Sequence, residues 1–505
     1  MSFDTLVIAE KPSAANDLVA GLGVKILNTK TRVSDGYTDL SNGMRVMPLF
    51  GHMIVALPPN AYLTEEQQRG NQFDVIPFLP YPLKVQPKPE RDPKTGKPKM
   101  RDGKPVESAH FKTLVKMIGE AKVIINAGDI DREGQLIVDE LLEYCGVDPT
   151  GQTKPIKRVA IMSNHPDDVK DAFAKIESNG APRWLYKRHA AIARQYLDYW
   201  LGMSISMAYQ QITGYRQTSA GRVQTPVAWL VTERDRQIES FRAVKYYVPH
   251  VKLTDGTVMR WYQRENAAVT PGFDERGRII DRRIGEAIVA AIRGGMGANV
   301  TMADQTHMKE GPPLPFSIGE LQVTCGRRFG MSVKEVADVA QGLYEKRKMI
   351  TYVGTDIRFL PEAKHAEAPG VLQQLGQLNG NLIAGATPSR RSRAWNDSKV
   401  EEHFGIMPTG RVESGLSQAE AQIFETIMRR YVAQFYPDFE FVKTSLGVMF
   451  GADEFRASSR QTLVRGWKEA EGLPVEDEQE EDALADAEAE REAEATRPSA
   501  PGGRG

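Results

Sequence analysis

The sequence predicts a multidomain protein that combines an α/β domain with further α and β regions, and three observations carry that prediction. At 505 residues the chain exceeds what one ordinary hydrophobic core organises. Its first 155 or so residues alternate strand-like and helix-like apolar patterns, as a partly parallel α/β sheet requires. Beyond them, helical spacing and strand alternation take turns along the chain. No apolar run approaches the roughly 18 residues of a membrane span, and the N-terminus lacks the basic start and apolar centre of a signal peptide, so the chain reads as cytoplasmic. Cys145 and Cys325, the only cysteines, cannot build a zinc ribbon or a disulfide framework, which fits a reducing compartment.

The first domain carries the densest chemistry. Val123, Ile124 and Ile125 read as a buried strand, and Leu136, Ile137, Leu141 and Leu142 fall at helical spacing. Between them lie Asp129, Asp131 and Glu133, at a strand's C-terminal end, where open α/β sheets bind ligands. Carboxylates about 4 Å apart repel by roughly 4 kcal/mol at an effective dielectric near 20, so such a trio calls for a cation, and oxygen-only ligands point to magnesium. The plainer alternative is a solvated helix N-terminus, where the helix dipole favours acids. A second strand, Leu6 to Ala9, ends in Glu10, Lys11 and Pro12, with Ser13 placed to cap a helix. Acids from two strand ends beside a lysine suit phosphoryl chemistry.

The net charge of −1 conceals an asymmetry. From Glu469 onward there are 13 acids and 3 bases, leaving 62 bases and 53 acids in the body. A basic body suits a polyanionic partner. The tail EDEQEEDALADAEAEREAEATRPSAPGGRG has no aromatics and reads as disordered or a transient helix, either a solubilising end or a mimic of DNA charge.

Along the body, QPKPERDPKTGKPKMRDGKP reads as a long exposed loop. RWLYKRHAAIARQYLDYWLGMSISMAYQQI reads as a helix whose aromatics are mostly core, with Arg194 its best DNA candidate. Residues 241–300 look β-rich. Ser332 and Glu335 form a capping-box pattern before a helix ending near Lys348, which delivers the chain to MITYVGTDIRFL and Tyr352. EFVKTSLGVMFG suggests a return to β structure. The absence of a GxxxxGK[ST] loop gives no sign of ATP use.

Six motifs in one order resemble the type IA DNA topoisomerases, most closely the bacterial topoisomerase III group: LVIAEKPS, FGHMIVALP, AGDIDREGQLI, SAGRVQTPVAWLVTERDRQIESF, LYEKRKMITY and WNDSKVEEHFGIMPT. The resemblance covers Leu6 to about Trp467. It implies a Toprim domain, a magnesium-binding α/β unit, followed by a toroidal type IA core that cuts one DNA strand, passes another and reseals the first. The implied domains are 1–155 Toprim, 156–240 helical with a DNA-binding segment, 241–305 a β-rich hinge, 306–410 helical with the active-site tyrosine, 411–468 a return to both, and 469–505 the acidic tail. Tyr352 becomes the nucleophile that forms a 5′-phosphotyrosyl link, and Glu10, Asp129, Asp131 and Glu133 become the Mg²⁺ site. Lys11 donates to the scissile phosphate and His403 assists. Ser219, Ala220, Gly221, Arg222, Val223 and Gln224 line the single-strand path, with Arg194 and His52 as further DNA contacts. The implied partners are single-stranded DNA and negatively supercoiled or catenated DNA, with room for a helicase, no membrane, and a monomeric state.

The chemistry of the residues agrees. A phenol of pKa near 10 costs about 4 kcal/mol to ionise at pH 7, so a nucleophilic tyrosine needs a base or cation beside it. A phosphotyrosine link keeps the phosphodiester's energy, so resealing needs no fuel. Out of context, Tyr352 and His403 would read as ordinary structural residues and Arg222 as half of a surface ion pair.

Two departures stand out. The family's arginine two residues after the tyrosine is Gly354 here. A hydrogen bond to a charged group is worth roughly 1.5–3 kcal/mol, so its loss predicts cleavage slowed by about one to two orders of magnitude. Arg358 is a candidate substitute on spacing that does not decide the matter. The family pattern also continues beyond Gly466 and Trp467, where this chain turns into its tail, so the expectation is either a ring that closes with fewer elements or a shortened relative of the kind carried on mobile elements. The competing readings are a catalytically weakened clamp on single-stranded DNA, motivated by Gly354, and a Toprim primase or nuclease, which leaves no tyrosyl adduct.

Overall fold

The computed structural model describes residues 3–28, 36–92, 95, 97–101, 104–161, 166–215, 217–262, 270–400 and 403–474. Most of the acidic tail, with its expected disorder, lies outside the described residues. The chain forms two compact units, Met1–Ser240 and Phe241–Gly505. Among the described residues, no helix is long and apolar enough to cross a membrane.

The first unit is built on a six-stranded sheet in the order Glu177–Ser178, Ile156–Arg158, Val123–Ala127, Thr5–Ala9, Met44–Pro48, Thr38–Asp39. Its four central strands are parallel, and both edge strands are antiparallel. The central strands are near-continuous apolar runs because helices cover both faces. On one face Leu6, Ile8, Ile124 and Met47 pack with Leu114, Ile118, Ile137 and Leu141 from helices Ala109–Glu120 and Arg132–Tyr144. On the other, Val7, Val46 and Ile125 pack with Leu18 and Val169 from helices Pro12–Leu22 and Pro166–Ala174. Register pairs Ala9 with Ala127, so Glu10 and Gly128 leave the sheet side by side. The α/β layer therefore extends to Ser178, past residue 155.

Three local expectations change. Ser13 does not cap its helix: Lys11 is the N-cap and Pro12 takes the first helical position, where its missing N–H costs nothing. The stretch read as a loop begins inside the strand Val85–Pro87, paired with Ile54–Ala56, and contains a short ribbon of Met100–Arg101 with Lys104–Pro105. In the long helix Pro182–Thr213, Trp184 alone among the aromatics is buried, and Tyr186 and Tyr209 are exposed. Tyr199 and Trp200 are half-buried because each needs a partner for its polar end: Tyr199 donates to the Leu57 carbonyl at 2.5 Å and Trp200 to the Pro80 carbonyl at 3.0 Å.

The second unit combines an antiparallel five-stranded sheet, ordered His250–Lys252, Val258–Trp261, Asp453–Val464, Phe439–Phe450, Ala298–Glu310, with a helical region. The β-rich part thus runs to Glu310 and is completed by a hairpin from the far end of the chain. The helices Ile318–Phe329, Val333–Glu345, Glu362–Leu375 and Gln418–Ala433 share a core that includes Leu321, Val336, Leu343, Leu372, Ile423 and Tyr431. Ser332 caps its helix by accepting from the Glu335 N–H at 3.2 Å, and that helix ends at Glu345. The chain then runs without helix or strand from Met349 to the start of Glu362–Leu375.

Candidate active site

In the first unit, the aligned strand ends bring Glu10 against the Asp129 turn. Glu10 Oε2 accepts from the Asp129 N–H at 3.0 Å, and Lys11 Nζ stands 3.3 Å from Asp129 Oδ2. Burial, with the Asp129 charge added, pushes the Glu10 carboxyl up to about 7. Asp131 is the N-cap of Arg132–Tyr144, accepting from the Gly134 N–H at 2.7 Å, so it serves the helix as the plainer reading expected while standing in the acidic turn.

This packing leaves no room for side chains at two glycines. A Cβ on Gly134 would lie 2.4 Å from the Asp129 carbonyl oxygen and 2.7 Å from Glu10 Oε2, and one on Gly128 would lie 2.4 Å from the Gly134 carbonyl oxygen. Backbone-on-backbone contact is what draws the acidic turn onto Glu10. Arg158, fully buried, holds the turn from behind. It donates to the carbonyls of Gly128 at 2.9 Å, Asp129 at 2.7 Å and Val159 at 2.6 Å, and to Gln135 Oε1 at 2.8 Å, while its guanidinium lies over the Trp184 ring. Lys187 donates to the Ile130 carbonyl at 2.6 Å. The sequence reading missed Arg158. A charged residue in a short strand ending was its only signal.

Glu133 turns its carboxylate to basic partners. His52 Nε2 contacts Glu133 Oε1 at 2.9 Å and His52 Nδ1 contacts Glu140 Oε1 at 2.6 Å, and these hydrogen bonds, Glu133 first, raise the imidazole to about 9. Arg194 Nη1 reaches Glu133 Oε2 at 3.4 Å. His52 therefore sits beside the acids with both ring nitrogens committed. Among the described residues, no group of three or more His, Cys, Asp or Glu side chains is gathered in metal-holding geometry. What fits a hard cation is the donor set itself: Glu10, buried beside Asp129 and Asp131, carries carboxylate repulsion that a bound cation relieves.

The segment expected to line the strand path comes directly after the long helix. Ala220 N–H donates to Ser206 Oγ at 2.9 Å, Gly221 N–H to Thr225 Oγ1 at 3.1 Å, and Gln224 Nε2 to Ser219 Oγ at 3.0 Å. Arg222 forks onto Asp198 at 2.6 and 3.2 Å, and Val223 is exposed.

In the second unit, Tyr352 lies in this segment between the helices, where Ile350, Val353 and Thr355 are buried. The Thr351 N–H donates to the Met407 carbonyl at 2.9 Å, and the Ile318 N–H to the Thr355 carbonyl at 3.1 Å, pinning the segment on both sides of the tyrosine. The Tyr352 ring centroid is 4.5 Å from that of His403 and 5.6 Å from that of Tyr344. Gly354 lies under the phenol. Arg358 does not stand in for an arginine at 354: it donates to the carbonyls of Pro315 at 3.0 Å and Leu314 at 3.1 Å and pairs with Glu320 at 3.2 Å. Its half-buried place among backbone acceptors gives it a structural task.

Residues 5–164 match the Toprim domain and residues 186–501 match a family described as DNA topoisomerase. The chain is 34% identical over 490 residues to DNA topoisomerase 3 of Vibrio cholerae, covering 94% of this chain and 71% of that one. It is 32% identical to DNA topoisomerase 3 of Salmonella typhimurium, covering 94% and 70%. Full-length topoisomerase I from Thermotoga maritima shares the fold at a TM-score of 0.60 and 18% identity, over 94% of this chain and 68% of that one. A Toprim domain joined to this core defines an enzyme that changes DNA topology. The chain belongs to the type IA DNA topoisomerases and is similar to topoisomerase III. Its activity is DNA strand cleavage, passage and rejoining, and its Toprim domain is of a kind that typically binds Mg²⁺.

Proposed function

We propose that Tyr352 is the nucleophile of this topoisomerase and that the enzyme acts, as a monomer, on single-stranded stretches of negatively supercoiled or catenated DNA. The Tyr352 oxygen attacks the scissile phosphorus, and its phenol proton passes to solvent water. The P–O bond to the 3′ oxygen breaks, leaving a 5′-phosphotyrosyl link and a 3′ hydroxyl, and the reverse step restores the strand. Glu10, whose burial raises its carboxyl to about 7 and so leaves it a proton to exchange near neutral pH, donates the proton that the departing 3′ oxygen takes up, and it recovers that proton during resealing. Lys11 contributes positive charge to the phosphate oxygens, and His403 orients the phenol. Ser219 to Gln224 and Arg194 hold the strand's backbone. Asp129 and Asp131 would hold Mg²⁺, joined by Glu133 once it exchanges a basic partner and by Glu10 once it has given up its proton, and the ion would neutralise phosphate charge. His52, rather than meeting DNA first, orders Glu133.

One observation carries this reading: the Tyr352 ring lies on His403 in a segment pinned on both sides by backbone hydrogen bonds. The test is a denaturing gel of protein mixed with 5′-labelled and 3′-labelled single-stranded oligonucleotides and Mg²⁺. A covalent adduct on the fragment with the 5′ phosphate, absent from Tyr352→Phe, is expected. An adduct that survives in Tyr352→Phe, or one carried by the opposite fragment, would overturn the assignment.

A further inference from the structure

A row of alternating charges crosses the first unit from the acidic turn to the strand-path segment: Glu140, His52, Glu133, Arg194, Asp198, Arg222. The links are 2.6 Å between Glu140 and His52, 2.9 Å between His52 and Glu133, and 3.4 Å between Glu133 and Arg194. They continue at 3.6 Å between Arg194 and Asp198 and 2.6 Å between Asp198 and Arg222. Every inner member touches two opposite charges, so a change of partner at one end redistributes attraction along the row. The two long contacts both belong to Arg194, which is therefore the joint that yields. Arg194 and Asp198 lie one turn apart on the helix Pro182–Thr213, so their spacing is fixed by the backbone. Asp198 faces both arginines, with Oδ1 on Arg222 and Oδ2 shared between Arg222 and Arg194.

We propose that Asp198 is a positioning residue that couples strand binding at Arg222 to the carboxylate of Glu133. A phosphate that takes the Arg222 fork displaces Asp198, since both are oxyanions competing for one planar donor. Asp198 then falls wholly to Arg194, and Arg194 loosens from Glu133. Glu133 loses a cationic neighbour at the moment a phosphodiester arrives, and its carboxylate becomes the stronger ligand for a cation. By reciprocity, anything that occupies Glu133 changes how tightly the strand is held. Exposed ion pairs of this kind contribute little to stability, so the row's consequence is positional.

This inference rests on the reading of Arg222 as a strand contact, and the two fail differently. In a Tyr352→Phe background, which forms no adduct, the affinity for a fluorescein-labelled single-stranded oligonucleotide is measured by anisotropy in EDTA. The variants are Glu133→Gln, Asp198→Asn, their double, Asp198→Glu and Arg222→Ala. Asp198→Asn is expected to tighten binding several-fold, and the double variant to depart at least threefold from the product of the single effects. Asp198→Glu should restore the parent affinity, which a merely structural role would not require. If the two effects multiply within error, or if Asp198→Asn leaves affinity unchanged, the coupling is wrong. An Arg222→Ala protein that binds as tightly as its parent would remove the underlying strand-path reading, whereas weaker binding with multiplicative effects removes the coupling alone.

Discussion

Tyr352 and Gly354 approach so closely that a Cβ on residue 354 would lie 2.5 Å from the phenol oxygen and 2.8 Å from Cζ. The glycine is thus more than a lost arginine. It supplies the room in which the proposed nucleophile rests.

Gly354→Ala should displace the ring rather than the backbone, because the clashing atoms are the end of a side chain. We expect stability within about 1 kcal/mol of the parent and several-fold less covalent adduct. Gly354→Arg should not raise the yield. Adduct gels alongside thermal melts check both, and a Gly354→Arg protein that cleaves faster would show that the missing guanidinium, not room for the phenol, limits the reaction.

Glu10 predicts a pH dependence. Its folded value of about 7 lies above the ordinary 4.5, so between those values the folded protein keeps a proton that the unfolded chain has lost. Stability contributed by Glu10 therefore falls as pH rises through 4.5 to 7 and levels off above. At about 1.4 kcal/mol per unit the whole effect is on the order of 3 kcal/mol. Glu10→Gln removes it. In EDTA, the melting temperature of Glu10→Gln relative to the parent should climb from about pH 5 to about pH 8; parallel pH curves would contradict the assignment.

Arg158→Met should be among the most damaging changes in the first unit. It strips donors from the carbonyls of Gly128, Asp129 and Val159 and from Gln135. A buried polar group left unpaired costs about 1–3 kcal/mol, so a loss of roughly 3 kcal/mol or more is expected in urea unfolding. Weakened Mg²⁺-dependent religation should accompany it in the fraction that remains folded.

Gly134→Ala tests the contact that unites the two strand ends. The new methyl meets backbone of Asp129, which cannot swing away, so we expect a cost of about 1–3 kcal/mol with loss of adduct formation. Gly119→Ala is the control. Nothing lies within 4 Å of a Cβ there, and an alanine inside Ala109–Glu120 should stabilise by about 0.5–1 kcal/mol.

By itself the sequence determined the elements and the chemistry at their ends. Runs such as LVIA and VIINA are strands because they are apolar without interruption, and the residues just past each run are fixed by chain adjacency, so the acids of both strand ends and the tyrosine's motif could be read in order. Only the tertiary structure decided who stands beside whom. Arg158 reaches the acidic turn because a third parallel strand pairs with Val123–Ala127. Glu133 is held by His52, distant in the chain, and Arg358 is spent on the carbonyls of Leu314 and Pro315. Half-burial of the long helix's aromatics likewise depends on a remote Pro-rich segment laid across them. Periodicity reports which side of an element faces inward, but the partner it meets there is chosen by packing between distant stretches of chain, and no local pattern encodes that choice.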